Sequence, residues 1–192
     1  MEINTLPDKT YAILLSGGLD SALLLYLVVS NNPTVDIQPY TIPKADGAIL
    51  YANGVIDHLN NKFGWNIPQT ISVGDPTAHH RIQSVIAADE IRDVHLKYFL
   101  FAGVTQNPEE LNSLLGAPER TTEPQDPRVL LPFVNMTKDQ ALQLMFDLDQ
   151  GDLADVTHTC TEQAEGRCNS CWQCTERAWS FNKIDKPDTG TL

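Results

Sequence analysis

Four cysteines, the only ones in the chain, stand at Cys160, Cys168, Cys171 and Cys174, in the order C-x7-C-x2-C-x2-C. A Cys-x-x-Cys pair presents two thiolates from one tight turn, within reach of one ion. A third and fourth thiolate close by complete a tetrahedral zinc shell. Four thiolates leave no coordination position for water, so the chemistry expected is structural rather than catalytic. Two disulfides or four small buried residues are the plainer readings. His158, two residues before Cys160, is a substitute ligand or a histidine at the edge of the site.

The second constellation lies at the other end, SGGLDS from Ser16 to Ser21. Gly17 and Gly18 let the backbone turn sharply and approach a ligand without Cβ obstruction. Ser16 and Ser21 offer hydroxyls, and a helix starting near Leu19 offers free N–H groups at its positive end. That set suits a pyrophosphate. Asp20 repels phosphate directly, which suits it to Mg²⁺ or its water shell. The plainer reading is a Gly-Gly turn between a strand and a helix. No G-x4-G-K-[ST] string is present, which argues against γ-phosphate transfer.

These residues need elements to position them. YAILL (Tyr11 to Leu15) reads as a buried strand ending at the serine-glycine run, and SALLLYLVV (Ser21 to Val29) as a buried helix. DIQPYTI (Asp36 to Ile42) reads as a second strand, although Pro39 sits within it. Ile49, Ala52, Ile56, Leu59 and Phe63 recur at helical spacing, with Gly64 as the stop. QTISV (Gln69 to Val73) is a third strand. Residues 80–97 follow as a helix with Ile82, Val85, Ile86 and Ile91 on its apolar face, then Tyr98 to Val104 as a strand. Asn107 and Pro108 open a short helix to Leu115, and residues 116–128 form an exposed loop. Core resumes at VLLPF (Val129 to Phe133), and Thr137 caps a helix to about Phe146. The last stretch, KIDKPDTGTL, reads as a polar tail.

Alternating strands and helices predict an α/β fold, a Rossmann-like three-layer sandwich with a mainly parallel sheet. Ligands of such sheets bind beyond the carboxyl ends of the strands, where SGGLDS falls. One domain is expected over residues 1–192, with a zinc-binding segment over 157–181 inside it.

SGGLDS resembles the PP-loop of the ATP pyrophosphatases, which cut ATP between its α and β phosphates. The segment THTCTEQAEGRCNSCWQCTERAWSF (Thr157 to Phe181) is similar to the C-terminal zinc segment of the 7-cyano-7-deazaguanine synthases, including Arg177 and Phe181 after the last cysteine. LPFVNMTKDQALQL (Leu131 to Leu144) resembles that family's Pro-Phe, Thr-Lys and helix segment and places Lys138 at the family's lysine. The resemblance implies a PP-loop fold, with ATP, Mg²⁺ and Zn²⁺ as cofactors. It implies a ligase joining ammonia to a 7-deazaguanine carboxylate through adenylated intermediates, giving a nitrile or its amide. Ser16, Gly17, Gly18, Leu19, Asp20 and Ser21 would bind the nucleotide, Asp20 and Lys138 would be catalytic, and the four cysteines would hold zinc. Members of the family often dimerise, and that expectation comes with the likeness.

The middle departs. PYTIPKADGA stands where the family has Tyr-Gly-Gln and a nearby histidine. FAGVTQNPEELNSLLGAPER replaces a segment with Asn, Asp and Tyr-Pro-Asp-Cys-Arg. The departures concern the acceptor pocket, so another acceptor, or a catalytically reduced nucleotide-binding relative, stands as the alternative. Lys44 and Asp46 contact ATP or substrate, or form a solvated turn. Arg120 and Arg128 close over phosphates or remain solvated on a loop. His79, His80 and Arg81 read as a helix start. Trp172 and Trp179 are expected to pack around the cysteine segment.

Composition sets the outer bounds. The net charge of −12 excludes an extended nucleic-acid surface, which depends on neutralising phosphates, but not a small nucleotide held by backbone N–H groups. No apolar stretch is long enough for a membrane span. The first residues lack the pattern of a secretory signal. The expectation is therefore a reducing cytoplasm, where cysteines bind metal rather than pair.

Overall fold

The structure is a computed structural model that describes residues 1, 3, 5–6, 9–78, 80–94, 99–111, 117–124 and 126–190. Strand β1 (Thr10–Leu14) runs into helix α1 (Leu19–Asn31), followed by β2 (Asp36–Thr41), α2 (Ala48–Phe63), β3 (Ile71–Ser72) and α3 (His80–Val94). Then come β4 (Phe99–Ala102), β5 (Val129–Leu130), α4 (Lys138–Asp147) and α5 (Trp172–Lys183). Short 3-10 turns cover Glu109–Leu111 and Gly151–Val156. All strand pairs are parallel, in the order β3-β2-β1-β4-β5. Among the described residues, no helix is long and apolar enough to cross a membrane.

Strand periodicity explains the layers. Tyr11 and Ile13 of β1 enter an apolar cluster with α1, α2, α4 and Phe181 of α5, whereas Ala12 between them joins Ala87 and Ile91 of α3. Consecutive side chains point to opposite faces, so four helices cover one face of the sheet and α3 the other. Helix α1 is apolar almost all round because it packs against the sheet, α2 and α4 at once.

The strand read over Pro39 forms, and two other details differ from the sequence reading, each for a local reason. Pro39 sits in β2 at no cost to the ladder. The carbonyl of Tyr40 accepts from Leu15 on the β1 side, so Pro39 faces the β3 side, and β3 begins only opposite Tyr40. Helix α3 does not bury the expected Ile82 and Val85, which are 50% and 54% exposed; it turns Gln83, Ala87 and Ile91 inward at helical spacing. The expected helix from Pro108 is a single 3-10 turn within the described residues, and Asn107 bonds the carbonyl of Pro118 instead of capping it.

Candidate functional site

β1 neighbours β2 on one side and β4 on the other, so the connections leave its carboxyl end in opposite directions and open a crevice there. A cleft of about 260 Å³ occupies that place, lined among others by Ser16, Gly18, Asp20, Ser21, Lys44, Asp46, Lys138 and Thr159. Gly103, just past β4, lets the strand end press onto α1: a Cβ there would lie 3.1 Å from the Asp20 backbone.

The Ser16–Ser21 loop is braced by its own hydroxyls. Ser16 Oγ accepts from the Gly18 N–H at 3.3 Å and meets Ser21 Oγ at 3.2 Å, and Ser21 Oγ donates to the Gly18 carbonyl at 3.1 Å. Gly17 holds φ at 77°, and a Cβ on it would meet Tyr51 Cβ at 2.6 Å and the Ala52 nitrogen at 2.7 Å. We therefore expect Gly17→Ala to cost about 2–4 kcal/mol, summing left-handed backbone strain and overpacking. A thermal melt checks it, and the damage will centre where the loop seats on α2.

Below the loop lies a closed ring of alternating charges. Lys138 Nζ sits 3.1 Å from Asp20 Oδ2 and 3.0 Å from Glu176 Oε2. Arg120 reaches Glu176 Oε2 at 2.8 Å and Thr105 Oγ1 at 2.7 Å, and Thr105 Oγ1 donates back to Asp20 Oδ2 at 3.2 Å. Burial works against the Lys138 ammonium, but the Asp20 and Glu176 carboxylates outweigh it and raise its pKa. Burial likewise works against a charged Glu176, yet Lys138 and Arg120 hold its pKa below the ordinary range. Lys138 and Glu176 thus each stabilise the other's charged form. Asp20 Oδ1 and Glu176 Oε1 are buried with no hydrogen-bond partner. An orphaned carboxylate oxygen beside a phosphate-sized cleft fits a hard cation.

The cysteine segment folds against the same loop. The four sulfur atoms all lie within 4.8 Å of one another, with Cys168 and Cys174 4.0 Å apart. Metal–sulfur bonds of about 2.3 Å at tetrahedral angles space sulfurs at just under about 4 Å, so the set fits one tetrahedral ion. The N–H groups of Cys171 and Cys174 donate to the sulfurs of Cys168 and Cys171 at 3.2 and 3.4 Å. Hydrogen bonds from Ser170 hold the Cys168 thiol down at about 6, while burial pushes Cys174 up to about 12. A bound cation would have to displace the Cys174 proton. His158 is not part of the cysteine cluster: its Nε2 lies 2.8 Å from the Gln163 carbonyl, its ring stacks on Tyr51 at 4.2 Å, and its backbone N–H donates to the Gly17 carbonyl at 2.9 Å.

Residues 108–185 match the family model described as QueC, queuosine biosynthesis protein QueC. That stretch holds Lys138, all four cysteines, Glu176 and Arg177, and the structure brings it onto the SGGLDS loop that lies outside it. The C-terminal part of the chain is thus similar to the QueC family. NMN synthetase from Francisella tularensis has a similar fold, with a TM-score of 0.53 at 16% identity over 94% of this chain and 79% of that one. The U34-tRNA thiolase NcsA from Methanococcus maripaludis, with its [4Fe-4S] cluster, gives a TM-score of 0.47 at 17% identity, covering 93% and 66% of the two chains. No curated protein sequence matches the chain.

All of Ser16, Gly17, Gly18, Leu19, Asp20 and Ser21 stand at or beside the cleft, and Lys138 reaches them from the start of α4. Lys44 and Asp46 line the cleft. Asp46 also accepts the Ala48 N–H at the start of α2, and Lys44 has no ion pair among the described residues. Arg120 is corrected: it neither closes over the cleft nor stays solvated, because Glu176 and Thr105 fasten it inside the ring. Arg128 pairs with Asp126 of its own loop at 2.6 Å, and that hydrogen-bonded contact holds Asp126 down at about 2. Trp172 is buried at the start of α5, between Cys171 and Cys174 in sequence, and Trp179 lies under the Lys183 ammonium at 5.3 Å. His79 lies outside the described residues; α3 starts at His80.

Glu176 and Asp188 escaped the sequence reading. Glu176 sits between a metal-spaced cysteine and an arginine, where nothing local marks it. Asp188, in the stretch read as a polar tail, forks onto Arg177 with contacts of 2.9 Å at both oxygens and takes Arg167 at 2.6 Å. Arg177 is 1% exposed and also donates to the carbonyls of Ala154 and Thr157. Burial tends to raise the Asp188 pKa, but hydrogen bonds and charge from Arg177 and Arg167 lower it overall. A carboxylate whose folded pKa is depressed adds stability above its unfolded value of about 3.9 and loses it as pH falls through the folded value. Asp188→Asn is therefore expected to lower the melting temperature at pH 7 by several degrees. The gap to wild type should close below about pH 3.9, as read from melts across a pH series.

Proposed function

We propose that this chain is an ATP-dependent ligase that converts a 7-carboxy-7-deazaguanine and ammonia into the 7-cyano product, or its amide, with release of AMP and pyrophosphate. The observation that carries the reading is the junction of the SGGLDS loop with Lys138 and the four-cysteine segment. The family match covers the second and third, the fold supports an ATP-using PP-loop enzyme, and the cleft lies between them. In the reaction proposed, a carboxylate oxygen attacks the α-phosphorus and pyrophosphate leaves. Ammonia then attacks the acyl carbon, loses a proton, and AMP leaves as the amide forms. The amide oxygen then attacks the α-phosphorus of a second ATP, a second pyrophosphate leaves, and loss of AMP and the remaining amide protons gives the nitrile.

The hydroxyls of Ser16 and Ser21 and the N–H groups from Gly17 to Leu19 would hold the leaving pyrophosphate at the positive end of α1. Asp20 would hold Mg²⁺, which neutralises charge on the phosphates when bound. Lys138 balances charge on Asp20 and on oxygens developing negative charge. The four cysteines would hold Zn²⁺, closed to water and structural. Lys44 and Asp46, on the cleft wall where the family has Tyr-Gly-Gln, favour a second reading with the same ATP chemistry on another carboxylate or base.

The deciding experiment is mass spectrometry of ATP, Mg²⁺, ammonia and 7-carboxy-7-deazaguanine, with Ser16→Ala/Asp20→Ala as control. Nitrile or amide with AMP, lost in the control, supports the proposal. AMP with other carboxylates alone shifts it to another acceptor, and no AMP from folded, metal-loaded protein overturns the ligase reading.

A further inference from the structure

We propose that Glu176 is a positioning residue whose charge sets how strongly Asp20 takes Mg²⁺, and so links the cysteine-bearing helix to the nucleotide loop. The inference rests on the ATP and Mg²⁺ reading of the cleft.

Glu176 lies two residues beyond Cys174 on α5, and its side chain is completely buried. It does not line the cleft. One of its oxygens receives Lys138 at 3.0 Å and Arg120 at 2.8 Å. Lys138 therefore divides itself between two carboxylates, and Arg120 is held away from Asp20 with Thr105 between them. The two acids and two cations of the ring cancel. Asp20 is left with one oxygen neutralised and one, Oδ1, unpartnered.

Without the Glu176 charge, the balance tips by one positive unit. Lys138 would then belong to Asp20 alone, and the unshared Arg120 charge would add to its field. A divalent cation at Asp20 is opposed by that surplus, whereas a bare polyphosphate in the adjoining cleft is favoured by it. Opposite responses of two ligands are the mark of a charge effect. Disturbed packing would weaken both. One unit charge several ångströms away in a partly buried site is worth about tenfold in affinity, about 1.4 kcal/mol.

The test is calorimetric titration of ATP into zinc-loaded protein at fixed pH, with saturating Mg²⁺ and in Mg²⁺-free buffer, with zinc content and melting temperature measured for every variant. For Glu176→Gln, the ratio of ATP affinities with and without Mg²⁺ should fall about tenfold, with tighter binding of Mg²⁺-free ATP. Arg120→Gln should move the ratio the other way, and it carries the test if Glu176→Gln does not fold. The double variant, neutral again, should return towards wild type. Equal weakening of both forms of ATP in Glu176→Gln, or no recovery in the double variant, would show a packing role and overturn the inference while leaving the ligase proposal standing. Wild-type protein that binds ATP in neither condition would overturn the ligase proposal and this inference with it.

Discussion

Lys138→Met will lower the rate of pyrophosphate release by about 10²–10³-fold, the scale lost when one preorganised charge at a transition state is removed. Methionine keeps the length and packing of the lysine stem in a site where Lys138 is only 6% exposed, so the variant isolates the charge. Asp20 Oδ2 and Glu176 Oε2 then face one another's neighbourhood with Arg120 as the remaining cation. Breaking a buried ion pair by removing one partner costs about 3–5 kcal/mol. The shared arginine places the expected loss towards the lower end, a fall of roughly 10 °C in melting temperature for a chain of this size. Pyrophosphate release in the cold, where the variant is still folded, separates the two effects. A normal rate there would mean that Lys138 only holds the fold together.

Loss of the metal proposed for the four-cysteine site is expected to reach the Ser16–Ser21 loop, which contains no cysteine. Cys160→Ser or chelation removes the restraint on residues 157–177, where coordination free energy is folding free energy. Hydrogen exchange should then speed up at two separated places: the cysteine segment and the amides around Ser16–Ser21. The physical route is the His158 N–H donated to the Gly17 carbonyl, the stack of His158 on Tyr51, and the Glu176–Lys138–Asp20 chain. The melting temperature should fall by more than 10 °C, a loss of several kcal/mol. Faster exchange confined to the cysteine segment would show that the loop stands without it.

Much of this was legible because it is local. Strand β1, helices α1, α2 and α4, the left-handed Gly64 at the end of α2, and the four cysteines each announce themselves within a dozen residues. Spacing alone also placed Ser16 to Ser21 at the end of a strand. The residues that remained hidden are those whose meaning depends on a distant partner. Arg120 looks like a loose loop charge until Glu176 arrives from α5, and Asp188 looks like tail until Arg177 and Arg167 are placed beside it. The inward face of α3 was misjudged because the rim of that thin layer leaves Ile82 and Val85 in solvent while Ala87 makes the close contact. Apolar periodicity reports which face is greasy, and here geometry selected a smaller stripe.

The bond from His158 to the Gly17 carbonyl also bears on the order in which the molecule is made. A ribosome delivers β1 and the SGGLDS turn early, yet the partners that finish the turn emerge far later; Tyr51, which packs under Gly17, must itself wait for Ala164, 113 residues on. Contacts that span so much chain form late and slowly, because the long loop must close before they return any stabilisation. A nascent chain ending before residue 157 would therefore carry the whole SGGLDS turn in an unfinished shape. The distant clasp makes completion of the Ser16–Ser21 turn a late event in folding, one that waits for the cysteine segment.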